Sequence, residues 1–131
     1  MLNPSTADAE TNDPTVHRCC DFARRWDYDR CNVYNLFALR STDPKGLLAV
    51  DDPIGPKWDD FFIRLLGRRQ DCVAAWGAFK INIQSGQAAR VCEAFSRADL
   101  KLFCLSINKD GSPKHPLYVP SSTSLLPYDY N

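Results

Sequence analysis

Residues 71–107 read "DCVAAWGAFKINIQSGQAARVCEAFSRADLKLFCLSI". The order of patterns in this stretch decides the fold. "DCVAAWG" is a short apolar run closed by Gly, which predicts a strand over 71–76. In "NIQSGQAARVCEAFSRAD", Val91, Ala94, Phe95 and Ala98 recur at helical spacing and predict the inner face of a helix. "LKLFCLSI" then predicts a second strand over about 100–107. Two apolar strands joined through a helix form a βαβ unit, so the two strands run parallel.

The rest of the chain extends this alternation. "CNVYNLFAL", rich in β-branched and aromatic residues, predicts a further buried strand over roughly 31–38. "NDPTVHRCCDFARRW" predicts a helix capped by Asp13, with Pro14 in its first turn and Val16, Cys19 or Cys20, Ala23 and Trp26 inward. "KWDDFFIRLLGRR" predicts another helix, with Phe61, Phe62, Leu65 and Leu66 on its apolar side. Between strand and helix, "RSTDPKGLLAVDDPIGP" holds two Asp-Pro pairs and a Gly-Pro, a long connection with one short helix after Pro44. From residue 108 onward Pro, Ser and Gly dominate, which predicts an irregular tail packed on the domain. The pattern predicts an α/β fold: one three-layer α/β/α domain over 1–131 with a short, mainly parallel sheet. A chain of 131 residues suits one such domain, and no repeat subdivides it.

Composition narrows the function classes. The apolar share is 44% and the charged share 24%, ordinary values for a soluble domain. No apolar run approaches a membrane span and no basic-then-apolar leader is visible, so a cytoplasmic location without membrane partners is expected. Net charge is zero, but the halves differ: residues 1–60 carry a net −4 and residues 61–131 a net +4. The second half could offer a polyanion a basic surface through Arg64, Arg68, Arg69, Lys101, Lys109 and Lys114; ordinary solvated faces are the alternative. The six cysteines form no C-x-x-C pair, and several lie in apolar runs, as in "DCVAAW" and "LFCLSI". They read as buried free thiols rather than a disulfide framework or metal site, so neither metal nor cofactor is expected.

In parallel α/β sheets, ligands sit at the carboxyl ends of the strands. That rule selects three segments. Asn35 lies amid the apolar "VYNLFAL", where an amide must find a partner, either structural or a ligand. Arg40 and Ser41 follow it, placed to hold a phosphate or carboxylate. After the last strand comes "NKDGSPKHPLY", in which Asp110-Gly111 marks a turn and Pro116 restrains His115 toward extended geometry. A histidine in a stiff loop at that edge is a candidate acid or oxyanion stabiliser. The opening "MLNPSTADAE" carries a third loop motif, with Asn3 able to position a water and Thr6 or Asp8 able to assist.

In order along the chain, "MLNPSTAD", "DPTVHRCCDFARRW", "NLFALRSTDP", "IGP", "AWG" and "KDGSPKHPLY" resemble the bacterial family catalogued as domain of unknown function 1643. More distantly, the chain resembles the uracil-DNA glycosylase-like superfamily, three-layer α/β/α proteins that hydrolyse a base–sugar bond. That resemblance implies that Asn3 positions the attacking water, Asn35 reads a base edge and His115 stabilises the departing base. Arg40, Ser41 and Lys114 would bind substrate, with DNA or a nucleotide as the partner. The sequence departs from it in "HPLY", which lacks the Ser that follows His-Pro there. A non-catalytic nucleotide or nucleic-acid binding module and an inactive truncated domain are the competing expectations. The same families place a strand ahead of the Asn-Pro motif. Only Met1 and Leu2 stand there, which predicts a truncated first strand, through a start at an internal methionine or a natural truncation; if the chain does start here, neighbouring edges must pair otherwise.

Overall fold

A computed structural model describes residues 1–2, 13–39 and 43–129. Its α-helices, among the described residues, are α1 (Pro14–Arg25), α2 (Trp58–Gly67), α3 (Lys80–Ser85) and α4 (Gln87–Arg97). Its strands are β1 (Cys72–Ala74), β2 (Leu102–Cys104) and β3 (Leu126–Pro127). A two-turn 3-10 helix lies at Pro44–Ala49 and a single 3-10 turn at Pro116–Tyr118. The sheet order is β1-β2-β3. β1 and β2 pair in parallel, Cys72 opposite Leu102 and Ala74 opposite Cys104, as the βαβ reading requires. β3 joins β2 antiparallel. The protein is therefore an α/β domain with a small mixed sheet.

Helices cover both faces. On one face Trp58, Phe62 and Leu65 of α2 and Val91 and Phe95 of α4 pack with Ala74, Trp76 and Cys104. On the other, Phe22 and Trp26 of α1 pack with Leu105, Val119 and Leu125. The cap of α1 is Asp13, whose carboxylate accepts from Thr15 and Val16 N–H, with Pro14 in the first turn. Among the described residues no helix is long and apolar enough to cross a membrane.

Four local expectations are corrected. The helix expected from "NIQSGQAARVCEAFSRAD" is two helices, because Gly86 takes φ +67, ends α3 in the left-handed region and starts α4. In α1 the buried residue is Phe22, while Val16 faces solvent; in α2 Trp58 is buried and Phe61 is exposed. The tail beyond 108 is more ordered than its composition suggests: it supplies β3, the Pro116–Tyr118 turn and the Ile107–Pro113 bridge.

The fourth correction concerns 31–38. These residues form no assigned strand, and the chain bends at Leu36. Their backbone is paired piecemeal. Met1 N–H donates to Tyr34 C=O at 2.9 Å, Leu36 N–H to Met1 C=O at 3.0 Å and Phe37 N–H to Leu2 C=O at 2.9 Å. Ala38 and Leu39 donate to Ile54 and Pro53. Two side chains complete the pairing: Trp58 Nε1 donates to Asn35 C=O at 2.8 Å and Gln87 Nε2 to Leu36 C=O at 3.0 Å.

Gln87 is nearly sealed, at 1% exposure, and sits in the first turn of α4. Substituting Gln87→Leu leaves the Leu36 carbonyl buried without that donor, a loss of about 1–3 kcal/mol. Urea denaturation is expected to show this drop with an unchanged m-value; unchanged stability would mean that the amide is dispensable.

Candidate functional site

Beyond β2 the chain turns back on itself over residues 106–114. Lys114 N–H donates to Ser106 C=O at 2.8 Å and Asn108 N–H to Ser112 C=O at 2.8 Å, closing a hairpin. Asp110 fastens the tip by accepting from both Ser112 N–H (3.0 Å) and Ser112 Oγ (2.6 Å), bonds that hold its carboxyl below the usual range. Tyr128 Oη donates to Gly111 C=O, tying the tip to the strand region at β3. The hairpin is joined to β1 by Gly77 N–H donating to Pro113 C=O at 2.9 Å.

This frame delivers Lys114 and His115 to the carboxyl ends of β1 and β2. His115 lies between Pro113 and Pro116, both among the most buried residues of the chain. It caps the Pro116–Tyr118 turn, and its Nδ1 accepts from Leu117 N–H at 3.3 Å. An Nδ1 that accepts leaves the proton of the neutral ring on Nε2. Burial lowers the His115 pKa, the Met1 ammonium lowers it further, and Asp13 opposes both. The ring is therefore neutral near pH 7 with a donor at Nε2. The Tyr118 ring, itself exposed, stands 5.5 Å from it.

Gly77 allows the close approach. It has φ +80, and a Cβ there would lie 3.0 Å from the Phe79 ring and 3.7 Å from His115 Cβ. On α3, Asn82 is buried and donates to Gly77 C=O at 3.3 Å. Its Oδ1 is buried with no partner among the described residues. An unpaired buried acceptor is costly unless something donates to it.

The structure thus unites some of the predicted residues. Lys114 and His115 are adjacent in the rigid loop. Asn35 is half-buried, its side chain makes no hydrogen bond among the described residues, and it lines a cleft whose wall also includes Met1, Trp76 and Pro116. The Met1 amino group bonds next to Asn35, at Tyr34, and its charge reaches His115. Asn3, Arg40 and Ser41, like Thr6 and Asp8, lie outside the described residues. Sequence reading missed Asn82, Tyr118 and the Met1 amino group. The cleft, about 930 Å³, is lined along 30–36 and 72–76 and reaches Leu105 and Pro116.

Two of the thiols are poor nucleophiles here. Burial pushes Cys19 up to about 11 and Cys92 up to about 12, so both stay protonated near neutral pH. Among the described residues no cluster of His, Cys, Asp and Glu could hold a metal ion.

The family described as "Protein of unknown function (DUF1643)" matches residues 1–117. The chain belongs to that family. Comparison with curated proteins and with solved structures returned no match.

Burial lowers the Met1 amino group to about 6 from its ordinary value near 8. Between these values the unfolded chain binds more protons, so stability rises with pH from 6 to 8. The rise is about 2–3 kcal/mol and flattens below pH 6, where both states are protonated. His115, also lowered, acts in the same direction. Denaturation across pH 5–9 checks this, and amino-terminal acetylation is expected to remove most of the slope. A slope indifferent to acetylation would contradict the burial of this group.

Proposed function

We propose that this DUF1643 member binds a nucleobase at the carboxyl edge of its sheet and hydrolyses the base–sugar bond of DNA or a nucleotide. One observation carries the reading: His115 is held neutral, with its donor at Nε2, in a loop stiffened by two buried prolines. Cleaving an N-glycosidic bond sends the bonding electron pair into the base, and negative charge grows on the base oxygen. A fixed neutral donor strengthens its hydrogen bond as that charge grows, so it favours the transition state over the bound substrate. Water supplies oxygen to the sugar carbon, and its proton finishes on the released base.

The other roles follow from chemistry and place. Among the described residues the Asn35 amide has both a donor and an acceptor uncommitted, as reading a base edge needs. Lys114, with Lys109 in the same loop, supplies positive charge for a phosphate. Tyr118 offers an exposed ring for stacking. Asn3 would position the water, and Arg40 and Ser41 would hold a phosphate. In a duplex, the base must first leave the stack.

A second reading, a binding module without hydrolysis, draws on Asp13. This is the carboxylate whose charge reaches His115, yet it serves as the cap of α1. It is poorly placed to activate water.

Oligonucleotides carrying uracil, hypoxanthine or alkylated bases, followed by alkaline cleavage of abasic sites, test the choice. Base release is expected, with His115→Ala slowing it about 100-fold or more and Asn35→Ala weakening substrate selection. Nucleotide binding that depends on Asn35 without any base release selects the binding module. Neither release nor binding overturns both readings.

A further inference from the structure

Three of the six cysteines gather where α1 meets the segment that follows it. Cys19 and Cys20 lie on α1 and are half-buried, whereas Cys31 is exposed. The chain reverses at the end of the helix, where Asp27 takes φ +63 and Tyr28 N–H donates to Ala23 C=O at 2.9 Å. Three residues later Cys31 stands back alongside α1, lining the same cleft as Cys19 and Ala23. Burial raises the Cys31 thiol pKa, and the charge and a side-chain hydrogen bond of Cys20 raise it further. The Cys20 and Cys31 sulfurs are therefore neighbours. Cys19 meets Cys31 only as a charge, and successive residues of a helix do not face each other, so Cys20 is the thiol paired with Cys31.

The backbone around Cys31 has room to adjust. Among the described residues, 29–33 make no backbone hydrogen bond. The stretch is tethered at its two ends: Tyr28 Oη donates to Asp71 Oδ2 at 3.0 Å before it, and Tyr34 C=O accepts from Met1 N–H after it. Asp29, Arg30, Cys31 and Asn32 are all exposed. A disulfide has a narrow geometry, and neighbouring thiols rarely meet it without some movement. Here the movement falls on 29–33, where no backbone bond has to be given up.

We propose that Cys20 and Cys31 form a redox-active dithiol, a thiol–disulfide exchange site whose substrate is a low-molecular-weight disulfide. The exposed Cys31 attacks first. Its thiolate bonds to one sulfur of the substrate, the substrate S–S bond breaks, and a thiolate leaves with the electron pair. Cys20 then loses its proton and attacks Cys31 Sγ, which expels the second small thiolate. The protein is oxidised by two electrons, the small disulfide is reduced to two thiols, and the protons released by the cysteines finish on them. The second step is intramolecular, so the contact between the sulfurs gives it a high effective concentration. The new bond closes the loop from 20 to 31 and pins the start of the segment that carries Asn35 onto α1. It stabilises the fold by narrowing the unfolded ensemble.

The test treats the reduced full chain with oxidised glutathione under native conditions. The tryptic peptides 19–24 and 31–40 are expected to appear joined by a disulfide within one chain. Cys19→Ser keeps this joint. Cys20→Ser abolishes it and leaves glutathione on Cys31, and Cys31→Ser abolishes it as well. Oxidation of the wild-type chain is expected to raise Tm by about 5 °C or more and to slow amide exchange along 29–33, and dithiothreitol reverses both. A native chain that does not react, or that keeps glutathione on Cys31 without passing it on to Cys20, overturns the proposal. So does a joint that forms only in urea, or one made to Cys72, which lines the same cleft. A joint that leaves Tm and amide exchange unchanged also overturns it.

Discussion

The obligation to pair a buried backbone governs the region from residue 34 to residue 39. Leu36 and Phe37 are buried, and their amides cannot turn to water. In an ordinary parallel sheet two neighbouring strands would satisfy them. Here the partners come from four places: the two residues at the amino end, the Pro53–Ile54 segment, the Trp58 indole and the Gln87 amide. Trp58 and Gln87 stand at the starts of α2 and α4. Each therefore docks its helix against this segment while packing that helix into the core. One set of hydrogen bonds fixes the register of 34–39 and the placement of the α2–α4 layer together.

The site end of the molecule is built by a different rule. There, stiffness comes from local closure rather than from burial of a strand. Asp110 and Ser112 fix the hairpin tip, Gly77 locks its base to β1, and Pro113 and Pro116 remove backbone freedom on both sides of His115. A histidine carried this way loses little entropy when it meets a ligand, because its backbone has already been ordered by folding. The Leu117 amide adds the chemical part by choosing which ring nitrogen bears the proton.

What the sequence made legible follows from which signals are local. The βαβ unit was readable because apolar runs bounded by Gly and a helical repeat between them are local patterns. The break at Gly86 carried its own mark, since Ser-Gly-Gln places a left-handed glycine where one helix ends. The pairing of 31–38 was not readable: an apolar, β-branched run states that a segment is extended and buried, but not what stands beside it. β3 escaped because two residues, one of them Pro, carry no strand pattern; a Pro is tolerated there because β3 lies at the edge. In the site, His115 and Lys114 were found through the His-Pro loop. Asn82 was missed, because one polar residue in a short helix looks like a solvated face until its burial is known.

The amino group of Met1 joins the two halves of this description. It ends the hydrogen-bond ladder along 34–36, it lines the cleft between that segment and β1, and its charge acts on His115. An enclosed charge is felt strongly by its neighbours because little water screens it. Pairing along 34–36 and protonation at the carboxyl edge of the sheet are therefore linked through one nitrogen. Whatever neutralises that nitrogen removes a charge that lowers the His115 pKa, leaving burial as the cause that keeps the ring neutral and Asp13 as the opposing charge. The 34–36 segment and the histidine are for this reason one electrostatic unit, although they lie more than seventy residues apart in the chain.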